Sequence, residues 1–281
     1  MARRLIALLA ALSAGAAATA ALSASAPTLR VMSFNVRLSR ANAGVNDWIK
    51  RRDLLVATIR AEAPDIIGTQ ELMQEQGDYI RAALPDWDWF GIDRRGGHAD
   101  EHMGIFYNRA RLRLIDSGQF WLSGTPDVPG SISWGNLYPR MASWGVFETV
   151  RGKRRFTLVN THLPYRAEDE AAREKAARLI ATRLGDWPGP LVLTGDFNTD
   201  TNSRAHAILS ETLRDSWTAV RNPAGPRETF HGFTGTTDGR RIDWIMARGL
   251  RARRTRTVAT AQDGRYPSDH FPVVTDFSFG R

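Results

Sequence analysis

The chain has 281 residues, with 38 Lys and Arg against 30 Asp and Glu for a formal charge of +8, and no cysteine. Without cysteine there is no disulfide framework, no thiol nucleophile, no cysteine-bound zinc and no lipidated-cysteine anchor. A hydrophobic fraction of 42% with no repeat, low-complexity tract or linker excludes a repeat array and fits a single compact domain.

Met1 to Arg4 form a basic start, Leu5 to Ala21 an alanine- and leucine-rich run, and Ala24-Ser25-Ala26 a small-residue cleavage site. This pattern predicts a signal peptide over residues 1–26, export to the periplasm or outside the cell, and a domain over 27–281. Pro27 disfavours cutting after Ala26, which leaves Ala18-Thr19-Ala20 and Leu22-Ser23-Ala24 as alternative sites. An uncleaved anchor is the competing reading, weakened by the many Ala, Ser, Gly and Thr residues in the run. Arg3 and Arg4 supply two of the eight excess charges, so the processed chain carries about +6.

The first apolar run, Leu29 to Met32, ends in Ser33-Phe34-Asn35. Trp48 to Ala61 follows as an amphipathic helix, with Ile49, Leu54, Leu55, Val56 and Ile59 set among Lys50, Arg51, Arg52 and Asp53. Asp65 to Gly68 leads into Gln70-Glu71, and Gly104 to Asn108, Leu112 to Phe120, Ala142 to Val150 and Arg155 to Asn160 read as strands of a mainly antiparallel group. An aromatic, Pro/Gly-rich segment from Phe120 to Trp144 interrupts that group, a length of loop that commonly shapes a binding surface, with core packing of its aromatics the equal alternative. Arg140 within it is the best phosphate-clamping arginine, because a guanidinium fork matches phosphate geometry.

Arg151, Lys153, Arg154 and Arg155 form a hairpin tip, and the following strand closes on Asn160-Thr161-His162. Ala167 to Leu184 is the clearest helix, its apolar face made by Ala172, Ala176, Leu179, Ile180 and Leu184, with Glu174 and Arg178 at pairing distance. After Pro190, the buried run Leu191 to Leu193 delivers Asp196 and Asn198 together at one strand end. Thr229 to Phe233 is a second aromatic loop, from which His231 is the candidate substrate-side histidine. Ile242-Asp243-Trp244 lies in a strand, an arginine-crowded stretch runs from Arg248 to Arg256, and Ser268-Asp269-His270 precedes the last run, Phe271 to Val274.

Six separated strand ends therefore carry Asn, Asp, Glu or His. Rigid strands that end on such groups present them to a common crevice. A carboxylate that orients a water or holds a metal, beside an amide that donates to a phosphate oxygen, is a set that phosphoester hydrolysis uses. The bland alternative for Asp196 and Asn198 alone is a pair of turn residues capping the next segment.

In these motifs and their order, from about Leu29 to Phe277, the chain resembles the endonuclease/exonuclease/phosphatase superfamily of DNase I-like phosphoesterases, and its bacterial exported branch more than DNase I itself. The resemblance implies an α/β (α+β) four-layer sandwich, two packed mixed β-sheets flanked by helices. It makes Glu71 the principal Mg²⁺ ligand, with Asn35 and Asp269 completing the site or bridging to it through water. Asp196 would orient or deprotonate the attacking water, Asn198 would bind the scissile phosphate, His270 held by Asp243 would stabilise the transition state or shuttle a proton, and His162 would contact the phosphate from the opposite side. Mg²⁺, with Mn²⁺ as a substitute, suits these oxygen donors because it is usually held by one or two carboxylates together with waters and substrate.

The basic surface favours polyanions, although a solvated face or membrane-surface charge explains either arginine cluster equally well, and the first functional reading is a Mg²⁺-dependent nuclease or phosphodiesterase, monomeric, acting on a phosphoester substrate with nucleic acid as a candidate. The alternative is a phosphatase or phosphodiesterase for small molecules or lipid headgroups. A non-catalytic secreted binding protein is the third, and an intact acid, amide and imidazole set argues against it.

Overall fold

A computed structural model describes residues 28–40, 44–237 and 239–280. The leader expected over residues 1–26 lies outside that range, and no helix among the described residues is long and apolar enough to cross a membrane.

β1 (Thr28–Asn35) is apolar on both faces because it is buried on both. Leu29 and Val31 point into the space between two sheets, while Met32 and Phe34 point to the outer face beneath helices. Strands sandwiched in this way read as nearly continuous hydrophobic runs. β2 (Ile66–Gln70) lies parallel beside β1, and the crossover between them is the helix α1 (Trp48–Glu62). α2 (Gln74–Ala83), β3 (Trp87–Phe90) and β4 (Ile105–Asn108) follow.

The second sheet begins with the antiparallel strands β5 (Leu112–Trp121), β6 (Met141–Thr149) and β7 (Arg155–His162). Helix α3 (Glu170–Arg183) then carries the chain to β8 (Leu191–Asp196), parallel to β7. α4 (Arg204–Ser210), β9 (Arg214–Asp215), α5 (Ser216–Ala219) and β10 (Asp243–Arg248) complete this half, and β11 (Leu250–Thr257) and β12 (Val273–Phe279) return to the first sheet. The two six-stranded sheets run β11-β12-β1-β2-β4-β3 and β5-β6-β7-β8-β10-β9.

Three apolar layers hold the sandwich. One lies between the sheets around Val31, Ile66, Phe147, Phe156, Val192 and Phe277; one lies under α1 and α2; and one lies under α3 and α4. A large apolar side chain fully buried in such a layer stabilises the fold by roughly 1.5–3 kcal/mol. The sheets also meet through polar groups: Gln70 Nε2 donates to Asn160 Oδ1 at 2.7 Å, and Asn160 Nδ2 donates to the Thr69 carbonyl at 2.7 Å. Gly68 lets these strands close, since a Cβ there would sit 2.1 Å from Thr194 Oγ1 and 2.6 Å from Asn160 Oδ1.

Several expectations are corrected. β4 does not join β5, β6 and β7; it pairs with β2 and β3 in the other sheet. On α1, Ile49 is 65% exposed whereas Arg51 is buried. The aromatic segment does both of the things open to it: Trp134 and Trp144 pack on the core beneath α3, while Tyr138 and Arg140 line a cavity.

Sheet direction also places the charge. The parallel pairs point the carboxyl ends of β1, β2, β7 and β8 the same way, and the tip at Arg151 to Arg155 lies at the other end of the sandwich, where Arg154 reaches the Gly280 carbonyl. β11 is an edge strand whose Arg251, Arg253 and Arg254 are exposed, and its early residues pair with the far end of β12. Charged side chains on an edge strand discourage edge-to-edge aggregation.

Candidate active site

The carboxyl ends of β1, β2, β7 and β8 deliver Asn35, Glu71, His162 and Asp196 to one place. Antiparallel pairing sets Asp243 directly opposite Asp196, and the turn before β12 brings Asp269 and His270 beside them. Glu71, His162, Asp196, Asp269 and His270 line a cavity of about 360 Å³, with Asn35 and Asp243 bonded to them from behind.

Asn35 sits at the junction. Its Nδ2 donates to Glu71 Oε1 and Asp196 Oδ2, each at 3.0 Å, while its Oδ1 accepts the Arg37 backbone N–H. Glu71 Oε2 accepts the Leu38 N–H at 3.2 Å and lies 3.3 Å from Arg37 Nη1. Arg37 Nε is 3.4 Å from Asp269 Oδ2, so one guanidinium joins the two carboxylates. Burial pushes the Glu71 carboxyl up, but Arg37, Asn35 and His270 outweigh it and hold the group below its usual range. Arg37, Glu71 and Asn198 all have left-handed backbone, with φ of 55°, 56° and 53°. Such residues cost on the order of 1–3 kcal/mol each and gather where function requires a fixed geometry.

Asp196 Oδ1 accepts the Asn198 N–H at 3.0 Å, and its Oδ2 faces two imidazoles, His162 Nε2 at 3.4 Å and His270 Nε2 at 3.8 Å. Asp243 Oδ2 lies 2.9 Å from His270 Nδ1. Burial, reinforced by the Asp243 charge, pushes Asp196 up to about 7. Burial pushes His270 down, yet Asp243 and Asp196 prevail and raise it to about 10. His162 moves the other way: burial, Arg140 and His270 hold it well below the ordinary histidine value. The site thus offers one imidazolium and one neutral imidazole to the same carboxylate.

Several lining residues escape sequence reasoning, among them the charged Arg37, Arg94 and Glu101. Glu101 Oε2 lies 4.0 Å from His162 Nδ1, and its other oxygen takes Arg94 Nη1 at 2.9 Å. These three come from loops without a periodic signature, and the nearest available signal is the acid pair Asp100-Glu101 in a glycine-rich stretch. Arg140 lines the cavity as expected, buried, with Nη1 lacking a hydrogen-bond partner and its guanidinium 5.9 Å from the Tyr165 ring. Asn198 also lines it, its Nδ2 bonded to the Leu163 carbonyl. His231 does not. Its ring stacks on Phe271 at 3.9 Å and its Nδ1 accepts the Gly235 N–H, while burial and His270 lower it to about 4.

The donor set fits a hard divalent cation. Ligand atoms of Glu71, His162 and Asp196 lie within 4.8 Å of one another, as do those of Asp196, Asp243 and His270. Of the three expected ligands, Glu71 is central, Asn35 abuts it through its amide nitrogen, and Asp269 stands across Arg37.

The Endonuclease/Exonuclease/phosphatase family matches residues 32–270. The chain belongs to that family. Among similar members, the mannosyl-6-phosphatase of Bacteroides thetaiotaomicron VPI-5482 shares 30% identity at a TM-score of 0.84 over 89% of this chain and 100% of that one. Nocturnin from Rattus norvegicus is 23% identical over 301 residues, 92% of this chain and 67% of that protein. An uncharacterised protein, L388, of Acanthamoeba polyphaga mimivirus is 30% identical over 184 residues, so the match spans 65% of that relative. Membership in the endonuclease/exonuclease/phosphatase family makes the chain a phosphoester hydrolase, and the DNase I-like sandwich expected from the sequence is the fold observed.

Proposed function

We propose that this phosphoester hydrolase is a divalent-cation-dependent phosphatase of small phosphorylated molecules, with Asp196 at its catalytic centre. The observation that carries the reading is the placement of charge. The hairpin tip and the exposed arginines of β11 lie at the end opposite the cavity, where Arg37 and Arg94 are engaged by Glu71, Asp269 and Glu101. Basic clusters set away from the site do not grip a polymer backbone bound there, which shifts the balance away from the nuclease favoured by composition. The likeness to a mannosyl-6-phosphatase over nearly the whole chain supports the same choice.

In the proposed reaction Asp196 orients the attacking water and accepts its proton, with Oδ2 kept in place by Asn35. His270, held protonated by Asp243, donates to the phosphoryl oxygens as negative charge builds there, and neutral His162 donates from the other side. Arg140 and Asn198 bind the phosphate. Glu71, with Asn35 and Asp269 nearby, would hold Mg²⁺ or Mn²⁺, which supplies Lewis-acid stabilisation of phosphate charge.

The test is a substrate panel with Mg²⁺ or Mn²⁺: p-nitrophenyl phosphate and hexose phosphates against bis-p-nitrophenyl phosphate, single-stranded and duplex DNA, and RNA. Phosphate release from monoesters as the dominant activity supports the reading, and nucleic-acid cleavage without monoester turnover overturns it. EDTA should abolish activity and Mn²⁺ restore it, whereas Glu71→Gln should need far more metal. Export through residues 1–26 is a separate proposal, checked by the N-terminal residue of the secreted protein.

A further inference from the structure

Arg51 is the one buried arginine of α1, 3% exposed, although the helix pattern groups it with the exposed Lys50 and the half-buried Arg52. Its guanidinium donates to four backbone carbonyls. Nε reaches Asn46 at 2.9 Å, Nη1 reaches Val36 at 2.7 Å and Pro267 at 2.8 Å, and Nη2 reaches Arg37 at 2.6 Å. None of these acceptors is a carboxylate. Trp48 and Phe233 lie over the group at 5.4 and 5.7 Å.

Two of the three segments gathered by this fork, residues 36–37 and Pro267, adjoin the acidic side of the site. Val36 and Arg37 follow Asn35 directly, and the Arg37 side chain spans Glu71 and Asp269. Pro267 precedes Ser268, whose Oγ donates to the Asn35 carbonyl at 2.7 Å, and then Asp269. A buried cation that spends its donors on loop carbonyls gains little packing area compared with an apolar residue, and leaving any one donor unmet inside the protein is costly. Only a planar fork can serve several carbonyls in fixed directions, so lysine is not equivalent here.

We propose that Arg51 is a positioning residue that locks the loop after β1 to the loop before β12, and so sets Glu71, Arg37 and Asp269 in the geometry that receives the divalent cation. The proposal rests on the cation reading of the site but not on which phosphoester is cleaved. Arg51 touches no reacting atom; it acts through the carbonyls of residues 36, 37 and 267.

The experiment measures Mn²⁺ affinity by calorimetry on the full chain, parent against Arg51→Lys and Arg51→Ala, at a temperature where circular dichroism shows each to be folded. Supporting residues behind metal ligands typically carry 10–100-fold in affinity, so both variants should bind Mn²⁺ at least about tenfold more weakly. Turnover at saturating Mn²⁺ should change less than about threefold, because the groups around Asp196 are held by other bonds. Low-millimolar guanidinium should restore affinity to Arg51→Ala, while tetramethylammonium should not. A folded Arg51→Lys that binds Mn²⁺ within about twofold of the parent would reduce Arg51 to a stability role and overturn the proposal. A parent chain that binds no Mn²⁺ would instead overturn the cation site itself, and the inference with it.

Discussion

Asp196 Oδ2 has an imidazole on each side, and the two rings differ in charge because their partners differ. Asp243 bonds His270 at 2.9 Å, whereas Glu101 stands 4.0 Å from His162 and is engaged by Arg94. A carboxylate in contact raises ring basicity and fixes the tautomer. His270→Ala and Asp196→Asn should each lower the turnover number by about a hundredfold or more with unchanged melting behaviour, and Asp243→Asn somewhat less. Combining His270→Ala with Asp243→Asn should cost hardly more than His270→Ala alone, because Asp243 acts through the ring it holds. Strictly additive losses would assign Asp243 an independent part, such as binding metal. The residues of this group were legible in the sequence because each closes or opens an apolar strand run, which fixes where it must emerge. Arg37, Glu101 and Arg94 were not, since a loop residue carries no register. His231 illustrates the same limit: a histidine in an aromatic loop reads alike whether its ring faces a cavity or stacks on Phe271.

At the level of elements, the long amphipathic helices could be read because burial repeats along them. α3 buries Ala172, Ala176 and Ile180 and pairs Arg178 with Glu174 at 2.7 Å, as its spacing requires. Short pieces stayed hidden. β9 has two residues, and its place beside β10 depends on Asp215, whose role no local pattern announces. Asp215 is buried, caps α5 through the Trp217 N–H at 2.9 Å, lies 3.0 Å from His206 Nε2, and forms an ion pair with buried Arg241. Burial would raise its pKa, but His206 and Arg241 outweigh that and depress it. A depressed carboxyl contributes stability that is present above its unfolded value of about 3.9 and lost as pH falls through the folded value. Asp215→Asn should therefore cost about 3 kcal/mol at neutral pH, by leaving Arg241 buried without its counter-charge. Urea titrations should show that gap narrowing once pH drops below about 4, and a gap independent of pH would mean that packing rather than charge explains the loss.

For the whole molecule, net charge and charge placement give different answers. A formal +8 suggests attraction to polyanions, but strand direction decides whether that charge reaches a substrate. The run from Arg248 to Arg256 contained the alternation of an edge strand, and only the antiparallel register of β11 against β12 shows that Arg251 and Arg253 sit at the far end. Arg256, nearer the site, is already paired with Glu62. The field of these arginines at the cavity is weak beyond a screening length of about 8–10 Å at physiological salt. A small substrate bound by the cavity residues releases few counterions, so the Michaelis constant for a monoester should change less than about threefold between 50 and 200 mM salt, where a protein gripping many phosphates would lose about a thousandfold or more in affinity. Changing Arg251, Arg253 and Arg254 together to Gln should leave kcat/KM within about twofold of the parent. A steep salt slope that flattens in this triple variant would place those arginines on the substrate and return the nuclease to first place.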